Sequence, residues 1–396
     1  MRIGIDGSCW LNRRGYGRFA RALINHLVAL DRGAEYTLVI DFDPAQAPAF
    51  PAGLEVLRIA SRQPAAHAAS ASGRRSLADM WAISRAMSRA RFDVRFFPSA
   101  YTYVPVTGPG RTVVVIHDVI AERFPGHVFP TRLAAARWWL KLWAARHQAD
   151  LIMTVSQASR TGISERFRIP ADGIVVLPEA ADPLFRPLPR DENMEAVLQR
   201  FALRDCRFVL YVGGISPHKN LGALVEVWAH LRREPATADV RLVLVGDYSD
   251  DVFLSAYGQL RQSVERLGLG DTVRFTGYVA DADLLFLYSA AQACVLPSLL
   301  EGFGLPAIEA MACGAPVVAS CRGALPEVVG AAALLFDPDR PGDLGAVLRR
   351  VLTDAAVRDR LRQLGPLRAA QFSWERAARI AFAAFCRLTQ RPCEAQ

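Results

Sequence analysis

Apolar residues in the first part of the chain come in short uninterrupted runs, separated by longer stretches with helical spacing. Met1-Arg-Ile-Gly-Ile-Asp6 reads as a buried strand, Gly15-Tyr-Gly17 as a glycine-rich turn, and residues 18–30 as an amphipathic helix. Strand patterns recur at 36–40, 94–97, 112–116 and 151–155, with helix patterns between most of them. Runs that are apolar from end to end suit strands covered on both faces, so the pattern predicts a parallel sheet between helical layers. A second series, opening on Phe208-Val-Leu-Tyr-Val212 and continuing at 241–245, 272–275, 293–296 and 316–319, repeats the alternation. The expected fold class is therefore α/β with two doubly wound, Rossmann-like halves. Between the two series, residues 178–207 hold four prolines, and Asp182-Pro-Leu-Phe-Arg-Pro187 reads as an extended connector. The predicted domains are 1–185, a linker at 186–206, a second domain at 207–371, and a final helix at 372–396 that returns to the first.

Length agrees with this division, because 396 residues exceed one compact core, and 52% hydrophobic with 22% charged residues is a globular composition. No basic leader with an apolar core precedes Ile3, and no run of eighteen uncharged apolar residues follows, so a cytoplasmic protein without a membrane span is expected. The seven cysteines (Cys9, Cys206, Cys294, Cys313, Cys321, Cys386, Cys393) form no C-x-x-C pair, which fits a reducing compartment. Net charge is +8, carried mainly by arginine, and this suits nucleic acid, anionic lipid or phosphorylated substrates alike.

Chemistry concentrates between Ala293 and Ala319: a strand ending at Pro297, the loop Ser298-Leu-Leu-Glu-Gly-Phe-Gly304, then a helix with Pro306 in its first turn and Gly314 past its end. Gly302 and Gly304 let backbone approach a ligand, and the N–H groups at a helix start attract phosphate. Glu301 and Glu309, eight apart, can face one crevice and accept hydrogen bonds from neutral hydroxyls of a sugar or a ribose. Without such context, Glu309 would merely complement the helix dipole and Glu301 would be solvated.

Glu301-Gly-Phe-Gly-Leu-Pro-Ala-Ile-Glu309, continued by Ala310-Met-Ala-Cys-Gly-Ala-Pro-Val-Val-Ala319, resembles the E-x7-E motif of retaining glycosyltransferases of family 4. The likeness extends to Ile5-Asp6, Gly15-Tyr-Gly17, Ile116-His-Asp118, Val155-Ser156 with Ser159-Arg160, and Tyr211-Val-Gly-Gly214. It implies the GT-B arrangement of two Rossmann-like domains facing a cleft, with acceptor on the first and a nucleotide-diphosphate sugar on the second. By the same likeness Glu301 binds the donor sugar near its reacting face, Glu309 holds the ribose, and Lys219 pairs with the diphosphate. Gly214, Gly302, Phe303, Gly304 and Leu305 line the donor, Gly15 and Gly17 let backbone approach its diphosphate, and His117 sits by the donor sugar. Where relatives often carry arginine, this chain has Gly214; His218 or Arg18 could supply the missing phosphate contact. Retention through a front-face mechanism follows from the family, in which lipid-linked acceptors are common; with Lys219 and a helix start to neutralise phosphate no metal is required, and neither a cofactor nor nucleic acid is expected beside the nucleotide sugar and a glycan or lipid-linked acceptor. Likeness to bacterial polysaccharide mannosyltransferases makes GDP-mannose the first donor to consider, with UDP- and dTDP-sugars open.

Two further features stand apart. Asp41-Phe-Asp43 and Asp281-Ala-Asp283 spell the D-x-D pattern of metal-dependent transferases, but triplets so short arise by chance, and both read as solvated loop acids. Residues 132–147 combine helical spacing, three tryptophans and five basic or potentially basic residues, which suits either an anionic membrane surface or a helix packed on the first sheet. A nucleotide-sugar epimerase and an inactive sugar-nucleotide-binding partner are the rival functions.

Overall fold

The computed structural model describes residues 1–30, 33–61, 76–247 and 255–391. The chain divides into two compact units, Met1–Glu179 with Ser373–Gln396, and Ala180–Phe372. Each is built on one sheet whose recorded strand pairs are all parallel.

In the first unit the strands are β1 (Arg2–Asp6), β2 (Glu35–Ile40), β3 (Leu54–Arg58), β4 (Val94–Phe97), β5 (Arg111–Val115), β6 (Leu151–Thr154) and β7 (Ile174–Val176). Their order is β3-β2-β1-β4-β5-β6-β7. The sequence pattern missed β3 and β7. Both lie at sheet edges, where β3 is half-exposed and β7 is only three residues long, so neither forms a continuous apolar run. Val39, Phe97, Tyr103, Val114 and Ile152 belong to a core packed on this sheet.

The second unit holds β8 (Phe208–Val212), β9 (Arg241–Val245), β10 (Val273–Gly277), β11 (Ala293–Leu296), β12 (Val317–Ser320) and β13 (Ala333–Phe336), ordered β10-β9-β8-β11-β12-β13. Trp228, Leu242, Leu244, Val295 and Leu348 are part of its core. Strand order reverses between β1 and β4, and again between β8 and β11. At such a switch point the flanking connections leave on opposite faces and open a crevice at the carboxyl ends of the strands.

Residues 186–206 are not a bare linker. They carry the helix Glu192–Arg200, which buries Met194, Val197 and Leu198 and packs on the helix Asp281–Ala290 within the second unit. Asp191 caps it by accepting the Met194 N–H at 2.9 Å. The prolines stop at Pro189, two residues before this cap, so the connector pattern ends where the helix signal begins.

The helix Trp374–Thr389 packs on the helix Gly15–Leu30 in the first unit, with Ser373 as its cap. Ala377, Ala378 and Ala381 are fully buried and small enough for close approach of the two backbones. At its ends Trp374 meets Phe19 edge-on at 5.8 Å, and Phe385 meets Phe96 at 5.4 Å. Cys393 lies outside the described residues.

Candidate active site

In the second unit, two loops leave the carboxyl ends flanking the switch point. After β8 the chain passes Gly213-Gly214 into a short turn of 3-10 helix, Pro217–Lys219. After β11 it runs through Pro297 to Glu301. The Leu299 N–H donates to the His218 carbonyl at 2.9 Å and ties the loops together. Asn220 adopts the left-handed conformation (φ 58°), which ends the turn and starts the helix Leu221–Leu231. The consequence is a meeting of side chains far apart in sequence. Lys219 Nζ donates to Glu301 Oε1 at 2.7 Å, and the Ser298 hydroxyl donates to the same oxygen at 2.7 Å. With side-chain exposures of 20% and 11%, the ion pair is largely shielded from water, where a charge-assisted contact is stronger than at the surface.

The following helix, Leu305–Ala312, starts from Gly304 at φ 101°. A Cβ there would lie 2.7 Å from the tip of the Leu325 side chain, which can turn aside, so it is the conformation that calls for glycine. Gly314, at φ 75°, ends the segment, and its N–H reaches the Met311 carbonyl at 3.0 Å. Gly302 and Leu305 are buried, and the Phe303 ring packs edge-on against Phe372 at 5.6 Å. What Phe303 can offer a ligand is therefore its main chain. Glu309 is 2% exposed and accepts the Tyr288 hydroxyl at 3.1 Å, so it sits deeper in the helix layer than Glu301 does.

The Gly214 carbonyl accepts the Tyr211 hydroxyl at 2.6 Å, beside Gly213 at φ 152°. Of the two side chains considered as substitutes for an arginine here, His218 is buried, with Nδ1 3.2 Å from Ser216 Oγ. It is part of the turn rather than an exposed cation. Arg18 belongs to the first unit.

In the first unit, His117 follows β5 and adjoins the carboxyl end of β4. Its Nε2 lies 3.0 Å from the Pro98 carbonyl, which can only accept, so this nitrogen carries the proton. Burial pushes its pKa down to about 4, so the ring is neutral near pH 7. Nδ1 is 3.9 Å from Glu179 Oε1, and the ring rests edge-on against Phe19 at 4.8 Å. Phe19 is in turn backed by Trp374, so the last helix of the chain supports the histidine. Glu179 went unremarked in the sequence because it falls in the proline-rich connector.

His117 also lines a recess with Ala100, Tyr101, Ile116, Asp118, Ala121, Glu122 and Trp138. Tyr101, Glu122 and Trp138 escaped the sequence reading, since aromatic and acidic residues on separate elements show no common spacing.

Gly15 and Gly17 are the first turn of the helix Gly15–Leu30 rather than a turn preceding it. A Cβ on Gly17 would lie 2.1 Å from the Asn12 carbonyl oxygen, whereas one on Gly15 meets nothing within 4 Å. Neither D-x-D triplet is a pair of solvated loop acids. Asp41 is 3% exposed, Asp43 caps a short 3-10 turn, and Asp281 and Asp283 begin the helix Asp281–Ala290, where Asp283 pairs with Arg200 at 2.5 Å. No cluster of three His, Cys, Asp or Glu with metal-ligand geometry occurs among the described residues.

Two Rossmann-like units, each with a parallel doubly wound sheet, are the fold of the GT-B glycosyltransferases. The model of Glycosyltransferase Family 4 matches residues 13–183, and that of Glycosyl transferases group 1 matches residues 198–368. The chain is 38% identical over 268 residues to O-antigen chain mannosyltransferase B of Escherichia coli, covering 67% of each protein. It is 32% identical over 288 residues to the serotype-specific mannosyltransferase WbdA of E. coli, covering 71% of this chain but 34% of that protein. Sucrose-phosphate synthase from Thermosynechococcus elongatus shares the fold with a TM-score of 0.77 at 23% identity, over 98% of this chain and 99% of that one. The chain belongs to this glycosyltransferase family.

Proposed function

We propose that the chain is a retaining mannosyltransferase that uses GDP-mannose to extend a glycan or lipid-linked glycan during polysaccharide biosynthesis, on the cytoplasmic side of the membrane. The observation that carries this reading is the Lys219–Glu301 pair at the second switch point, its glutamate the first of an intact E-x7-E segment. Support for mannose comes from the two mannosyltransferases at 38% and 32% identity.

In this mechanism Lys219 and the N–H groups opening the helix Leu305–Ala312 balance the charge of the diphosphate as it leaves. That positive charge makes a divalent cation unnecessary, and no cofactor is invoked. Glu301, steadied by Ser298, binds hydroxyls of the donor sugar, and Glu309 holds the ribose. The bond from the anomeric carbon to the phosphate oxygen breaks, the acceptor oxygen bonds on the same face, and its proton passes to the departing phosphate. Neutral His117 carries its proton on Nε2 and uses Nδ1 as the acceptor toward a sugar hydroxyl.

The test is transfer from GDP-, UDP- and dTDP-sugars to an α-mannoside acceptor, with and without a chelator, and NMR assignment of the new linkage. An α-linked mannoside formed from GDP-mannose in the presence of chelator is expected. Transfer from UDP-sugars alone overturns the donor, a β product overturns retention, and a sugar altered without acceptor makes the chain an epimerase. Donor binding with no turnover makes it an inactive partner.

A further inference from the structure

We propose that the helices Leu77–Arg89 and Arg132–Gln148 together form one docking surface for an anionic lipid leaflet, with tryptophan and leucine side chains entering the interface and arginines holding the headgroups. The surface lies on the first unit alone, and the inference does not depend on which sugar is transferred.

Strand order brings the two helices together. The first crosses from β3 to β4 and the second from β5 to β6, both in the same direction across the sheet, so right-handed crossovers place them on one face. Their inner residues share one core, Ile83 and Met87 from the first with Leu142 and Ala145 from the second. The segment after β4 is pinned by both: the Thr107 N–H donates to Ser88 Oγ at 2.9 Å, and the Val106 N–H donates to Gln148 Oε1 at 3.0 Å. With their inner sides on one sheet face, the outer sides of both helices look away from it. On the first helix the outer residues are Leu77, Trp81, Arg85 and Arg89, each four from the next; on the second, Leu133, Arg137, Leu140 and Trp143 follow at helical spacing. Leu77 is 82% exposed and Trp81 61%. Large apolar side chains left in water on two neighbouring helices mark an interaction surface rather than a scatter of single residues.

Charge names the partner. The only acid on either helix, Asp79, is buried, and among the described residues Arg85, Arg89, Arg132 and Arg137 have no acidic partner. Arginines elsewhere on the surface do have one, as Arg207 has Asp239, Arg266 has Glu226 and Arg349 has Glu234. The Arg85 guanidinium instead lies over the Trp81 ring at 5.0 Å, a cation on an amphipathic aromatic of the kind that settles at the headgroup level of a bilayer. A second copy of this chain would bring arginine against arginine. A nucleic acid would take the arginines and leave Leu77, Leu133 and Leu140 in water. An anionic leaflet meets both needs, its phosphates taking the arginines and its acyl boundary the apolar side chains.

Co-sedimentation with phosphatidylglycerol vesicles, beside phosphatidylcholine vesicles, tests the surface without any need for turnover. The wild-type chain is expected on the anionic vesicles and not on the neutral ones. Two double variants probe the first helix, Leu77→Ser with Trp81→Ala and Arg85→Gln with Arg89→Gln, and each should weaken binding about fivefold or more at low salt. Arg261→Gln with Arg266→Gln removes as much charge from an exposed helix of the second unit and should leave binding unchanged. Wild-type binding by both first-helix variants overturns the shared surface, as does an equal loss in the Arg261 and Arg266 variant or equal binding to the neutral vesicles. Self-association in sedimentation velocity that Trp81→Ala abolishes assigns the surface to a second copy and overturns the lipid, and tighter binding to a single-stranded oligonucleotide than to the anionic vesicles overturns it in favour of nucleic acid. A chain that transfers sugar yet ignores the vesicles rejects this surface alone; one that binds them as described yet transfers nothing from any nucleotide sugar keeps the surface and rejects the transferase reading.

Discussion

Two titratable side chains of one recess pull stability in opposite directions. The folded chain lowers the His117 pKa from 6.5 to about 4, so the unfolded state binds the extra proton between these values, and stability falls as pH drops through that window. Glu122 is raised from 4.5 to about 7, so the folded state holds the extra proton, and stability falls as pH rises through that window. Each contribution is at most about 3 kcal/mol, and the two largely cancel where they overlap. Replacing His117 by glutamine should expose the Glu122 slope, with denaturant midpoints falling from pH 4.5 to 7. Glu122→Gln should expose the histidine slope, with midpoints falling toward acid. If both variants simply parallel the wild-type curve, the two groups are not buried in solution as they are here. At the other site, Lys219→Ala and Glu309→Ala should each weaken donor binding tenfold or more, at about 1.4 kcal/mol per decade. Isothermal titration with the nucleotide sugar measures this, and unchanged affinity in both variants would sink the assignment of that crevice.

At the scale of elements, the central strands were legible because burial on both faces leaves an uninterrupted apolar run, and the glycine loop with its E-x7-E helix was legible because its spacing is local. Edge strands β3 and β7 lacked that signature, and the helix Glu192–Arg200 was masked by the prolines before its cap. The recess was illegible for another reason: Tyr101, Glu122 and Trp138 converge from separate elements, and only packing brings them together. The first turn of the helix Gly15–Leu30 shows what sequence leaves undivided. Gly15 and Gly17 look equivalent, but only Gly17 has a carbonyl in the path of a Cβ. Gly17→Ala should destabilise the first unit by about 2 kcal/mol or more, while Gly15→Ala should be neutral or slightly stabilising through helix propensity. Thermal melts of the two variants decide this, and equal shifts would count against the close approach at Asn12. The helix Arg132–Gln148 yields a further prediction. It leaves Leu133, Leu140 and Trp143 more than half exposed, contains no acid, and carries Arg132, Arg137, Lys141 and Arg146. Each basic residue near an anionic leaflet is worth about 1 kcal/mol, which salt screens. Co-sedimentation with phosphatidylglycerol vesicles should therefore occur at low salt, fade at high salt, and be lost when Arg137, Lys141 and Arg146 become glutamine. A wild-type chain that ignores such vesicles at low salt removes the membrane from the proposal.

For the whole molecule, the decisive feature is that the chain enters the second unit after Glu179 and returns to the first at Ser373. The first unit therefore completes its core only when the last helix of the chain docks. That helix buries Trp374, Phe382 and Phe385 and supports Phe19, which packs against His117. No helix among the described residues is long and apolar enough to cross a membrane. Truncation before Ser373 should cost the first unit more than about 3 kcal/mol, since losing even one large aromatic from a core costs that much. The second unit, whose core contains none of these residues, should keep its own transition. Calorimetry of the truncated chain should show one transition near its original temperature and another shifted down or absent, and donor binding, assigned to the second unit, should persist while transfer is lost. A truncated chain that melts as the intact one does, or that loses donor binding together with its first transition, would show that the two units do not fold as the separate bodies their cores describe.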